Sequence, residues 1–242
     1  MTKDRREPAT TEGKIPAPGS SRPEIEAFLD KVRSLGPAKA GVRGRLIFAL
    51  DATMSRQPTW DTACVLQADM FREAAGVGGL DIQLVYFRGL NECRASGWVA
   101  DSDRLAQLMS RIGCQGGHTQ IDRVLSHAKQ ENDRQRVQAL VYVGDAMEEP
   151  IDHLCASAGE LGLRGLPVFM FQEGPDPVAE NAYREIARLS GGAWCRFDAG
   201  AADQLRDLLR AVAAYAAGGK KALADLSAKR DRGAQLLLSQ MK

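Results

Sequence analysis

The sequence predicts an open, doubly wound α/β fold: a mostly parallel sheet with helices on both faces and one antiparallel edge strand. Apolar runs of strand length alternate along the chain with longer segments of helical periodicity, as is typical of such sheets. The apolar runs are continuous, which indicates strands that are buried on both faces. A chain of 242 residues is long enough to form one large core.

The individual elements follow from the same alternation of patterns. Core strands are predicted at 45–51, 81–87, 137–144, 166–171 and 193–197. Helices are predicted at 59–75, 101–111, 120–134, 149–162 and 177–190, and again from 201 onward. The segment 93–100 follows the second strand too closely for a helical crossover, so we expect it to pair antiparallel at the sheet edge.

The flanking segments differ in composition from this domain, which is expected over 43–217. Residues 1–22 are rich in Pro, Gly, Ser, Thr and charged residues and predict a disordered arm. Residues 23–42 predict a short amphipathic helix and a linker. A helical tail is expected at 218–242, after two consecutive glycines.

Composition argues against several classes of protein. The 32 Lys and Arg nearly balance the 31 Asp and Glu, so no overall charge attracts nucleic acid or an acidic membrane surface. The sequence shows no signal-peptide pattern and no apolar run of membrane-spanning length, which predicts a cytoplasmic protein. The cysteines are widely spaced and form no zinc-binding pattern, so we expect reduced, mostly buried thiols; they are Cys64, Cys93, Cys114, Cys155 and Cys195.

Oxygen-bearing side chains follow two of the apolar strands and also precede a predicted helix. The carboxyl ends of parallel strands meet at one edge of a sheet, where ligands bind in folds of this class. We therefore expect three loops to bring these side chains together. They are Asp51, Thr53, Ser55, Thr119 and Asp145.

The chemistry of this set indicates a hard divalent cation. Magnesium prefers oxygen ligands and keeps some of its water, whereas zinc favours His or Cys. In an extended stretch Asp51, Thr53 and Ser55 would face the same way, because side chains two residues apart share a face. Gly116 and Gly117 would let the second loop approach closely.

Three motifs together resemble the metal-ion-dependent adhesion site of von Willebrand factor type A (VWA) domains. They are DATMS at 51–55, GGHT at 116–119 and VGD at 143–145, and the resemblance covers about residues 43–215. It implies a Mg²⁺ or Mn²⁺ ion whose shell is completed by an Asp or Glu of a partner protein. The ligands that it implies in this chain are Asp51, Thr53, Ser55, Thr119 and Asp145.

This chain departs from the family pattern near the third loop. Ala146 stands where the family commonly has Gly, so the backbone there is expected to differ. Glu148 and Glu149 add negative charge beside a site that would receive an acidic partner, which would affect its affinity. Thr53 is a milder change that keeps the ligand oxygen.

The sequence favours a non-catalytic, metal-dependent protein-binding module, and it leaves other interpretations open. One is a metal-assisted phosphoester hydrolase, although Arg56 is the only basic residue beside the first motif. Another is a metal-free scaffold built on the terminal helices. The first motif also has a simpler interpretation, in which Asp51, Thr53 and Ser55 merely cap the following helix. The resemblance further implies partners such as AAA-type ATPases or stress-response complexes, and no nucleic acid or membrane partner is expected.

Overall fold

The structure is a computed structural model, and it describes residues 43–58, 60, 80–197 and 216. The predicted arm at 1–22, the helix and linker at 23–42 and the tail at 218–242 lie outside the described residues. Most of the helices predicted at 59–75 and from 201 onward lie outside them too. Ala216, which is helical and buried, is described within the last of these.

The described residues form a six-stranded mixed sheet in the order β3-β2-β1-β4-β5-β6. All neighbouring strands are parallel except β2 and β3, which are antiparallel. This confirms the predicted fold class. The strands are β1 (Gly44–Asp51), β2 (Leu80–Arg88), β3 (Glu92–Ala95), β4 (Ala139–Gly144), β5 (Val168–Glu173) and β6 (Ala193–Phe197).

Four α-helices lie between the strands with both of their ends in the described part of the chain. A short 3-10 helix, Met54–Arg56, follows β1 after Ala52 and Thr53, and residues 57, 58 and 60 are also helical. The longer helices begin and end close to the predicted limits, and the last one matches its prediction fully. They are α1 (Ser102–Met109), α2 (Ile121–Arg134), α3 (Ile151–Leu163) and α4 (Pro177–Ser190).

The central strands β1 and β4 are buried along their whole length. Helices cover them on both faces, which explains why their sequences are apolar without alternation. Four neighbouring strands, β2, β1, β4 and β5, run in the same direction. The loops that follow them therefore share one edge of the sheet, which we call the carboxyl edge.

The observed strand limits differ from the predicted ones by more than one residue at β3, β4 and β5. Strand β4 begins at Ala139, two residues later than predicted. The edge strand β3 covers Glu92–Ala95, and within the predicted 93–100 only Val99 adds a further bridge, to Ile82. Strand β5 begins two residues later than predicted, because the amide of Leu166 closes the end of α3 on the carbonyl of Leu161. It also extends through Gln172 and Glu173, polar side chains whose burial depends on partners in other elements.

Candidate metal site

Strand β1 delivers a buried carboxylate to the carboxyl edge. Asp51 is fully buried, and its Oδ1 accepts a hydrogen bond of 2.7 Å from the amide of Thr53. Its Oδ2 is buried and has no hydrogen-bond partner among the described residues. Burial raises the pKa of Asp51 to about 6, the bonds from Thr53 oppose this, and the charge of Asp145 adds to it.

Two hydroxyls connect the first loop to the third. The Oγ1 of Thr53 and the Oγ of Ser55 lie 3.0 Å apart, and the Ser55 hydroxyl donates to Asp145 Oδ1 at 3.2 Å. Thr53 is extended, but Ser55 belongs to the 3-10 helix. The expectation that both converge through strand alternation is therefore wrong for Ser55, whose position depends on the tight turn after Thr53.

The second loop is held against the third by a reciprocal pair of hydrogen bonds. The amide of Thr119 donates to Glu148 Oε2 at 2.9 Å, and the amide of Glu148 donates to Thr119 Oγ1 at 3.1 Å. Thr119 is buried and lies two residues before α2, which begins at Ile121. It therefore does not open the helix, as its sequence position suggested, but belongs to the loop before it.

The first loop also contacts the second directly. The amide of Gln115 donates to the carbonyl of Ala52 at 3.0 Å, and Thr53 and Gln115 form an isolated parallel bridge. The structure thus joins Asp51, Thr53, Ser55 and Asp145 through direct contacts. Thr119 is joined to the third loop through Glu148.

Of the two glycines in the second loop, only Gly117 is required by close packing. A Cβ on Gly117 would lie 1.9 Å from the carbonyl oxygen of Gly89, whereas a Cβ on Gly116 would meet nothing within 4 Å. The close neighbour is thus the turn between β2 and β3. The role of Gly117 is to seat the second loop on that turn.

Glu149 caps α2 from a different element. Its carboxylate accepts hydrogen bonds from the amides of Ile121 and Asp122. The side chain at the N-cap position, Gln120, does not cap these amides itself. A carboxylate at a helix N-terminus is stabilised by the unpaired amides and by the helix dipole. Burial raises the pKa of Glu149 despite these bonds.

The acidic pair that seemed out of place in the sequence thus binds the second loop and α2. Sequence reasoning missed this role, because the amides that donate to these carboxylates lie about 30 positions away in the chain. The one local signal was the absence of Ser, Thr, Asp or Asn at the N-cap of α2.

Arg56 and Glu173 form a buried ion pair beneath the first loop. Their Nε and Oε2 atoms lie 2.7 Å apart, and the Arg56 side chain is fully buried. The pair joins the residue after Ser55 to the end of β5. Sequence reasoning considered Arg56 as a phosphate-binding group, and the structure instead places its guanidinium in the protein interior.

Two buried tyrosines support the third loop from below. The hydroxyl of Tyr183 donates to the carbonyl of Ala146 at 2.8 Å, and the rings of Tyr142 and Tyr183 meet edge to face with centroids 5.4 Å apart. A Cβ on Gly144 would lie within 3 Å of the ring of Tyr142 and of the hydroxyl of Tyr183. The backbone at Ala146 is therefore fixed by Tyr183 in this chain.

The donor set suits a cation that prefers oxygen. Two carboxylates and two hydroxyls form one connected group, and the orphaned Asp51 Oδ2 is a buried acceptor whose cost a cation would offset. In the described part of the chain, no group of three or more His, Cys, Asp or Glu side chains is arranged to hold a metal. The hydroxyls are therefore needed as ligands of any metal bound at this place.

Comparison with known proteins supports the fold. No family model and no curated protein sequence matches this chain. Among solved structures, the SpRpn10 VWA domain matches with a TM-score of 0.53 and 12% identity, covering 65% of this chain and 89% of that one. A von Willebrand factor type A protein from Catenulispora acidiphila matches with a TM-score of 0.57 and 17% identity, covering 71% of this chain and 43% of that one.

The chain has the VWA fold. A third structure, proximal thread matrix protein 1 from the mussel byssus with a zinc-occupied MIDAS motif, matches with a TM-score of 0.56 and 16% identity. The match covers 71% of this chain and 45% of the mussel protein. A structure of similar fold with zinc at a MIDAS (metal-ion-dependent adhesion site) motif therefore exists. At identities this low, the similarity shows the fold of this chain and no activity.

The remaining sequence expectations have mixed outcomes. Cys195 is buried, but Cys93, Cys114 and Cys155 are partly exposed, so the expectation of mostly buried thiols is wrong for these three, while Cys64 lies outside the described residues. Cys93 and Cys155 are free thiols. No described helix has the length and apolar character needed to cross a membrane.

Proposed function

We propose that this protein is a metal-dependent protein-binding module that captures an Asp or Glu side chain of a partner. The observation that carries the proposal is the buried Asp51 carboxylate with one unpartnered oxygen, placed beside a chain of hydroxyls that leads to Asp145. A buried acceptor without a hydrogen-bond partner is costly. A cation bound at this point would remove that cost.

The group that would hold the ion comes from all three loops. Asp51, Thr53, Ser55 and Asp145 supply connected oxygens, and Thr119 Oγ1 lies on the adjoining loop, held by Glu148. Magnesium is the ion proposed first, with manganese as its substitute, because the donors are all hard oxygens. Such an ion supplies a strongly positive centre that binds a carboxylate.

A non-catalytic role is proposed over phosphoester hydrolysis because of where the basic groups lie. Phosphoryl chemistry needs cations that neutralise the substrate's charge, and the guanidinium of Arg56 is buried against Glu173. The metal-free scaffold is the less favoured alternative, since simple helix capping gives no account of the orphaned Asp51 Oδ2. The proposed location remains the cytoplasm.

The experiment that tests the metal site is calorimetric titration of Mg²⁺ and Mn²⁺ into the full chain. Asp51→Ala and Asp145→Ala should each weaken metal binding by more than about 100-fold. Loss of a group that only supports a metal ligand weakens binding by up to about 100-fold, so loss of a ligand itself should cost more. Asp152→Ala, which removes an exposed carboxylate on α3, is the matched control and should bind normally. Unchanged affinity in both site variants would contradict the proposal.

Thr119 tests the coupling between metal and partner. In similar domains this threonine joins the metal shell as the acidic ligand enters, so Thr119→Ala should weaken partner capture more than it weakens metal binding. The measurement is a pull-down in magnesium, repeated with chelator and with the variant. AAA-type ATPases or stress-response complexes are the proposed class of partner, and a protein retained equally in all three conditions would be bound by another surface.

A further inference from the structure

Exposed apolar side chains are concentrated around the candidate metal site. Of the five large apolar residues that are exposed in the described part of the chain, four lie in loops or first helical turns at the carboxyl edge. They are 37–70% exposed: Met54, Leu90, Ile151 and Val178. The fifth, Leu163, ends α3 at the opposite edge.

These four residues form a row across the sheet, which we call the apolar row. Leu90 follows β2, Met54 follows β1, Ile151 follows β4 and Val178 follows β5. These strands are neighbours in that order, and strands lie about 4.8 Å apart, so the ends of the outer strands β2 and β5 are roughly 14 Å apart. The candidate metal ligands after β1 and β4 lie at its centre.

Contacts between the loops keep the row in place. Ser55 donates to Asp145 across β1 and β4, and Arg56 pairs with Glu173 across to the end of β5. On the other side, the amide of His118 donates to the carbonyl of Gly89, next to Leu90. The four residues of the row thus belong to loops that are joined by hydrogen bonds and an ion pair. Exposed apolar residues scattered singly over a surface would not share such contacts.

The charges at this edge restrict what can bind there. The loops 52–58, 89–91, 115–119, 145–151 and 174–178 contain no Lys, and their only Arg, Arg56, is buried against Glu173. Their acids are Asp145, Glu148, Glu149 and Asp176. Outside these loops, the exposed guanidinium of Arg123 bonds to Asn91, next to Leu90. Away from that end of the row, these acids would repel a segment rich in Asp and Glu, and a bound cation would attract only a single acid.

We infer that the apolar row and the metal site together recognise a protein segment with one Asp or Glu flanked on both sides by large apolar side chains. This inference rests on the proposed function, because the single carboxylate is assigned to the metal. In an extended segment, side chains two residues before and after the acid face the same way as the acid. They lie about 13 Å apart, which is close to the separation of the ends of β2 and β5, the strands that Leu90 and Val178 follow.

The test uses labelled seven-residue peptides as probes for the full chain. The leucine probe has the sequence Thr-Leu-Thr-Asp-Thr-Leu-Thr, the serine probe replaces both leucines by Ser, the asparagine probe replaces Asp by Asn, and the acidic probe replaces both leucines by Asp. Binding is measured by fluorescence anisotropy in magnesium and in chelator. Leu90→Ser and Val178→Ser remove the outer parts of the row, and Leu163→Ser is the matched control at the opposite edge.

The inference predicts a specific pattern. The leucine probe should bind the wild-type protein in magnesium at least about tenfold tighter than the serine and acidic probes, as burial of one apolar side chain allows. Leu90→Ser and Val178→Ser should each weaken it by roughly three- to tenfold. Leu163→Ser should bind like the wild type, and all three variants should bind magnesium normally.

Other outcomes would overturn the inference or, separately, the proposed function. Equal binding of the leucine and serine probes, normal binding by both row variants, or no probe binding to metal-loaded protein would overturn the inference. Self-association in sedimentation that both row variants abolish would also overturn it, since the row would then join two copies of this chain. A third result would reject the metal function but keep the row as a binding surface. In it, the leucine probe binds equally well in chelator, the asparagine probe binds as tightly as the leucine probe, and the serine probe binds more weakly.

Discussion

At the scale of single residues, the ion pair of Arg56 and Glu173 is the feature that most directly supports the first loop. Removing one partner of a buried pair leaves the other charge in the interior without that partner, which costs about 3–5 kcal/mol. We therefore expect Glu173→Ala to lower the free energy of unfolding by about this amount. Chemical denaturation of the full chain measures it.

The double variant Arg56→Met/Glu173→Leu is the control for this prediction. Replacing both charges by apolar groups of similar volume is often neutral or stabilising, so most of the lost stability should return. Loss of stability in the double variant equal to that in Glu173→Ala would mean that shape, and not charge, determines the effect.

Single residues are also where prediction from sequence was least complete. Asp51, Thr53, Ser55 and Asp145 could be placed together because each follows an apolar strand, and parallel strands carry their loops to one edge. The partners of Arg56 and Glu149 could not be predicted in this way. Their contacts depend on side chains and amides far apart in the sequence, and no local pattern records which loops meet.

At the scale of elements, the second loop depends on how closely it approaches the β2–β3 turn. Gly117→Ala would place a Cβ 1.9 Å from the carbonyl oxygen of Gly89, so the loop that carries Thr119 must move. We expect a loss of stability of about 1–3 kcal/mol, as for other overpacked positions, together with weaker metal binding. Thermal unfolding and calorimetry measure the two effects.

Gly116→Ala is the matched control, because a Cβ at that position meets nothing within 4 Å. It should change stability by no more than about 0.5 kcal/mol, as is usual for exposed substitutions. If the two alanine variants behave alike, the close approach at Gly117 does not determine the loop's position.

Elements were well predicted wherever periodicity and helix-ending signals agreed. Helix α4 runs over Pro177–Ser190 as predicted, because Asp176 caps its start and Gly191 takes the left-handed conformation at its end. The edge strand was predicted too long, since a strand with one neighbour has no apolar pattern that fixes its limits. Strand β5 was displaced because Leu166 is buried in a loop, so burial alone did not indicate a strand.

At the scale of the whole molecule, the core does not depend on the candidate metal. The buried strands β1 and β4 and the helices around them supply most of the apolar contacts. We therefore expect the protein to stay folded in chelator and to gain about 2.7 kcal/mol when free metal is 100 times its dissociation constant. Thermal unfolding in magnesium and in chelator tests this, and complete unfolding on chelation, or no shift at all, would contradict it.

Glu149, in the third loop, caps α2. The two backbone amides that donate to Glu149 are therefore sensitive to changes in the third loop. Ile121 and Asp122 donate to a carboxylate that belongs to the segment following Asp145. Any displacement of that segment lengthens these bonds, and the nuclear magnetic resonance signals and exchange rates of the two amide protons would change with it. Ligand binding at the third loop can therefore be followed spectroscopically from a helix that need not contact the ligand at all.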